Sequence, residues 1–125
     1  MKLSSFLIIK AIVCLVFGIG FVLIPAKLMS TYGATLETAG EYMSRLFGAV
    51  FIGIAFICWL CRGTNWNALK GITLSLLLAD TIGFIVALIY QLSGFMNALG
   101  WINVALWLIF ALGLGYFRFL KPSAA

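Results

Sequence analysis

A chain of 125 residues that is 65% hydrophobic, 9% charged and free of histidine is not an ordinary soluble domain, which carries about 25% charged residues and leaves much of its surface in water at this size. The net charge of +5 does not point to nucleic acid, because the basic residues flank apolar runs instead of forming a stripe. The composition is that of an integral membrane protein.

A membrane span needs about 20 mostly apolar residues. Four segments qualify: roughly Phe6–Ile24, Tyr42–Cys61, Ile72–Leu92 and Phe95–Phe117. The runs are apolar on every side, as membrane helices are and amphipathic surface helices are not. The expected fold is all-α: a four-helix transmembrane bundle of antiparallel, up-down topology, forming one domain over residues 1–125.

The first run follows Lys2 but is longer than a signal-peptide core of about 7–15 residues, and no clear small-x-small site follows it. It is read as a retained span that Pro25 ends. Lys27–Gly40 is the one substantial loop. Thr38 and Glu41 match a capping box, which predicts that the second helix starts there. Arg62-Gly63 ends that helix, and Asn65 and Asn67 are candidate caps for the third. Ser93-Gly94 is a short turn that makes the third and fourth helices antiparallel neighbours, and Arg118, Lys121 and Pro122 close the chain. Lys2, Lys10, Arg62, Lys70, Arg118 and Lys121 lie on one side, against Lys27 and Arg45 on the other. That imbalance predicts that both termini and the link between the second and third spans are cytoplasmic.

Asp80 is the only acid within the apolar runs. It lies about 15 Å along the third span from Lys70, at a 1.5 Å rise per residue, and so near the bilayer midplane. An acid there costs a few kcal/mol and is expected to face the bundle interior. Thr73, Asp80, Gly83, Ala87 and Gln91 recur on one polar or small face, and Ala79, Gly83 and Ala87 form a small-xxx-small ladder. One reading makes Asp80 a proton or cation site in a transport path. The other makes it a neutral acid hydrogen-bonded to a neighbouring helix, a well-established use of polar groups in spans.

The expected partner is Asn103, about 12 Å into the fourth span and near the same depth, with Asn97 and Gly100 on a similar face. Arg45 follows Glu41 by four residues, which favours a local interfacial ion pair. Its alternative is to turn inward over Ala49 and Gly53 toward Asp80, a lipid or an anionic ligand. Lys10 is expected to snorkel to the cytoplasmic headgroups, or else to bend toward Asp80. Asp80, Asn103, Arg45 and Lys10 are thus the candidate intramembrane polar site.

Cys58 and Cys61 form a C-x-x-C similar to the redox pair of the quinone-linked disulfide-generating membrane enzymes. Those enzymes use a further pair on the oxidising face, whereas only Cys14 remains here and the charge rule puts Cys58 and Cys61 on the reducing side. Apolar packing thiols are expected. Tyr32, Tyr42, Trp59, Trp66, Tyr90, Trp101 and Tyr116 lie near span ends, as an interfacial belt would. No catalytic, cofactor-binding or metal constellation is expected.

The run Gly20 to Met29 through Pro25, then Tyr32-Gly33, then Arg45 to Ala49 through Gly48, then Trp59-Leu60 with Arg62, and the tail Asn97 to Trp101, resemble a group of small bacterial four-helix membrane proteins of unknown function. The resemblance covers most of the chain and implies fold and location but no activity. The first functional expectation is a non-enzymatic bundle that self-associates or serves a larger membrane protein as accessory subunit, with membrane lipids as its other partners. The second is a small proton-coupled transporter with Asp80 as its membrane-embedded acid. That reading resembles the small multidrug-resistance exporters, although their essential acid is in the first helix. The third is a membrane enzyme using Cys58 and Cys61.

Overall fold

The computed structural model describes residues 1–121; Pro122, placed by the sequence at the close of the chain, lies outside them. The elements are α1 (Leu3–Leu23), α2 (Pro25–Thr31), α3 (Thr38–Leu60), α4 (Trp66–Leu92) and α5 (Gly100–Gly115), with a π-helical turn over Tyr116–Leu120. Four segments are long and apolar enough to cross a membrane: α1, α3, α4 and Gly100–Leu120. The fold is an all-α four-helix bundle of a multi-pass membrane protein, with the spans running up and down in turn.

Local chemistry explains the helix ends. Asn65 caps α4, its side chain accepting from the Ala68 amide at 3.1 Å. The capping box does not form, because Thr38 is already the first helical residue and Glu37, in extended backbone, takes the cap position. The loop expected over Lys27–Gly40 begins instead as α2, whose first residue is Pro25, a position that needs no N–H. Both α2 and α4 end in a Schellman motif. Gly33 (φ +79°) and Gly94 (φ +82°) adopt the left-handed conformation that glycine tolerates best. After α4, the Gly94 amide donates to the Gln91 carbonyl and the Phe95 amide to that of Tyr90. The Tyr90 and Phe95 rings meet edge-on across this turn, 5.8 Å apart.

The turn has a consequence for the fourth span. It begins not at Phe95 but at Gly100, because residues 95–99 are spent in turns. Asn103 is therefore one turn into the helix, not near the midplane.

The bundle is two helix pairs. α1 packs along α3, and α4 packs along α5. α1 and α5 touch over a short stretch, while α3 and α4 make no comparable approach. The end that carries Leu3 and Phe117 holds the buried core. There Leu3, Phe6, Leu7, Cys58, Leu69, Leu114 and Phe117 interlock in one cluster, and the Phe6 ring stands 5.8 Å from Phe110 and 5.7 Å from Phe117. In a bilayer such burial gains little from the hydrophobic effect, since lipid tails are as apolar as leucine. Close van der Waals packing must hold the helices together.

Glycine permits that packing between α1 and α3. Gly18 and Gly48 face each other, and a Cβ on Gly48 would stand 2.6 Å from the Gly18 carbonyl oxygen. The obstruction is backbone, so it cannot swing aside. Gly48→Leu is expected to push α3 off α1 and destabilise the protein by about 1–3 kcal/mol or more, read as a lowered Tm in detergent. Gly53, which faces open space, should accept alanine with no loss.

Candidate functional site

The centre of the molecule is an ion pair. Lys10 Nζ donates to both carboxylate oxygens of Asp80, at 2.9 and 2.8 Å. Both side chains are about 4% exposed, so the pair is withdrawn from the outer surface of the bundle. It joins α1 to α4, one helix from each pair, and the Lys10 ammonium lies 4.6 Å from the centre of the Phe110 ring, a cation–π contact from α5. Removing two charges from water is costly, and only close, well-directed contacts offset the cost. Here both acceptors of the carboxylate are used.

This geometry corrects two expectations. Lys10 does not snorkel to the headgroups. It lies on the buried face of α1 with Leu3, Leu7, Cys14 and Gly18, and reaches across the bundle. Asn103 is not the partner of Asp80. Gly83 of α4 packs against Trp107 of α5, and Gly100 against Gln91, so the level of Asn103 is that of Ala87, about 10 Å from Asp80 at 1.5 Å per residue.

Arg45 is not in the site either. It is exposed and donates to the Val22 carbonyl at the end of α1. That carbonyl belongs to the last turn of a helix, which has no intrahelical donors and favours a positive charge. The only ion pair among the described residues joins Lys10 and Asp80, so Arg45 does not pair with Glu41.

Between the ion pair and the α2 end the bundle is hollow. A cavity of about 590 Å³ is lined by all four spans. Lys10 and Asp80 are at its floor. Phe17, Phe21, Phe47, Phe51 and Trp107 supply aromatic walls, and Ser44 and Asn103 face it nearer the α2 end. The cavity opens sideways. Val50 of α3 and Ile82, Val86 and Tyr90 of α4 line it and are each at least half exposed, and these two helices do not close on one another. The seam lies in the apolar body of the spans, where the surrounding solvent is lipid.

The α2 end is covered. Asn97, in the turn before α5, fastens it: its side-chain amide donates to the Thr31 carbonyl at 3.0 Å, and its backbone amide donates to the Tyr32 carbonyl at 2.8 Å. Gln91 donates to the Asn97 carbonyl at 3.0 Å. The Asn97 side-chain oxygen also accepts from the Leu99 amide, an Asx-turn. This role is invisible to hydropathy; the Asx-turn chemistry of an asparagine just past a glycine turn is the signal that could have found it. Tyr32 is buried beneath this cover. Burial pushes its hydroxyl above the usual tyrosine range, and the nearby Asn103 side chain opposes the shift.

Cys58 lies in the packed cluster, away from the cavity, and Cys14 lines the cavity beside Lys10. All three cysteines are free thiols. No family model, curated protein or solved structure matches this chain, so its chemistry rests on this geometry alone.

The ion pair makes a graded prediction. Asp80→Ala leaves the Lys10 ammonium buried without a partner and should cost about 3–5 kcal/mol. Lys10→Met combined with Asp80→Leu replaces the pair by apolar groups of similar size and should recover most of that loss. Thermal unfolding in detergent checks both, and a double variant no better than Asp80→Ala would contradict the pairing.

Proposed function

We propose that this chain is a non-enzymatic multi-pass membrane protein that takes a hydrophobic molecule from the bilayer into the cavity between α3 and α4, as a carrier or as an accessory subunit of a larger membrane protein. The observation that carries this reading is the lateral opening. The cavity ends against packed side chains toward the terminus-bearing end, the Asn97 hydrogen bonds cross over its α2 end, and its half-exposed lining between α3 and α4 faces lipid. Its volume of about 590 Å³ falls within the ~300–1,000 Å³ of sites for small organic ligands, and its apolar, aromatic lining matches theirs. The location that goes with this reading is a bacterial inner membrane with both termini cytoplasmic. With Lys10 withdrawn into the ion pair, the flanking Lys2, Arg62, Lys70, Arg118 and Lys121 against Lys27 and Arg45 still support that orientation.

One observation favours a second reading, proton-coupled transport: the Lys10–Asp80 pair lines the cavity and is not walled off from it. A ligand or proton entering the cavity would meet Asp80. On this reading Asp80→Asn abolishes substrate-driven proton flux in proteoliposomes.

Ala87 faces the cavity from α4, so Ala87→Phe fills the space without touching the ion pair. Native mass spectrometry of protein extracted in mild detergent should show a small hydrophobic adduct on the natural chain. The adduct should be absent from Ala87→Phe at unchanged Tm. Equal adducts on both, with the fold intact, would remove the binding reading. The same spectra report whether a second copy or another protein is retained.

A further inference from the structure

The cavity also constrains what it would hold. Its only charged groups are Lys10 and Asp80, and each engages the other through short, direct hydrogen bonds. A charged ligand would bring an unmatched charge into a medium that penalises it heavily. The occupant is therefore uncharged.

Its polar groups lie at the opposite end. Asn103 is one turn into α5, and Ser44 less than two turns into α3, both close to the α2 end. They face the cavity from different walls. The Ser44 hydroxyl has no hydrogen-bond partner among the described residues, whereas Ser75 and Thr81 of α4 donate to carbonyls of their own helix. The Asn103 side chain lies near the Tyr32 hydroxyl and, with two donors and one carbonyl, has capacity for a ligand. Polar groups facing a space that opens to lipid need partners, because lipid tails supply none. From there to the ion pair the walls are aromatic and aliphatic.

We infer that the cavity holds an uncharged, single-chain amphiphile. Its hydroxyl or carbonyl head hydrogen-bonds Ser44 and Asn103, and its apolar body runs along Phe47, Phe51 and Trp107 toward the Lys10–Asp80 pair. The inference rests on the cavity being a binding site, as proposed above. The polar end of the cavity is also at the membrane-surface end of the spans. The ligand therefore enters through the α3–α4 seam in the orientation that an amphiphile already has in the adjoining leaflet, without turning over.

Trp107 lies in the cavity wall and reports occupancy. In a variant with Trp59, Trp66 and Trp101 changed to Phe, Trp107 is the only indole, and bromine atoms quench it at short range. Dibrominated monoolein, added to the protein in nanodiscs, should quench Trp107 saturably. Dibrominated oleate and a dibrominated alkane of equal length should need at least tenfold higher concentrations. Ser44→Ala with Asn103→Leu should raise the half-saturating monoolein concentration at least tenfold while leaving the alkane unchanged. Saturable quenching by the alkane as good as by monoolein, or unaffected by the double variant, overturns the head-group inference and leaves the cavity as a binding site. A preference for oleate overturns it likewise. No saturable quenching by any of the three overturns both. If the double variant loses the alkane as well, the conservative Ser44→Thr with Asn103→Gln decides: restored monoolein quenching supports the inference, and its absence overturns it.

Discussion

The bundle depends on one contact between residues 70 positions apart, Lys10 and Asp80. The two helix pairs that it joins share little backbone approach beyond a short stretch of α1 against α5. In water the hydrophobic effect would hold such halves together. In lipid it does not, and the work falls to packing and polar contacts. The ion pair does more than add attraction. A lone charge in the bilayer interior is costly, so every arrangement in which the pair is broken is penalised, and the register of α1 against α4 is set by that penalty. The packed cluster at the terminus-bearing end then fills in around a fixed alignment.

The same contact divides the molecule along the membrane normal. On one side Phe6, Leu7, Leu114 and Phe117 pack into one buried cluster. On the other, large aromatic side chains line a hollow that they do not fill. A membrane protein that needed only to be a stable bundle could have closed the α3–α4 seam, as α1 and α3 do where Gly18 meets Gly48. The glycine of α4 in the hollow half, Gly83, admits Trp107 of the paired helix α5, not a helix from the other pair. Small residues thus tighten each pair internally, and the space lies between the pairs.

Much of the fold was legible from the sequence because span length and hydropathy are set by the bilayer, not by tertiary detail. The number of spans, their order and the Asn65 cap follow directly. So does the inward face of α4, where Thr73, Asp80 and Gln91 are all buried. The partner of Asp80 was not legible, for two physical reasons. Residues 95–99 are apolar enough to read as helix, but Gly94 and the Asx-turn at Asn97 delay α5 to Gly100 and shift Asn103 toward the membrane surface. And α1 is apolar all round, so no amphipathic stripe marks its buried face. Only the spacing of Lys10, Cys14 and Gly18, three residues smaller or more polar than their neighbours, hinted at it. The cavity itself had no sequence signal, since aromatic residues that fill a core and those that line a hollow look alike in a linear chain.

The long separation of the ion pair bears on how the chain is made. Spans leave the ribosome in order, at about 5–20 residues per second, so Lys10 reaches the membrane roughly 4–14 s before Asp80 does. By the end of that interval α3 has followed, and α1 and α3 can pair through Gly18 and Gly48 with an uncompensated ammonium two turns from the end of α1. A lysine so placed can extend its stem toward the headgroups while it waits. The arrival of α4 then supplies the carboxylate that holds the side chain inside the bundle, before α5 adds Phe110 beside it.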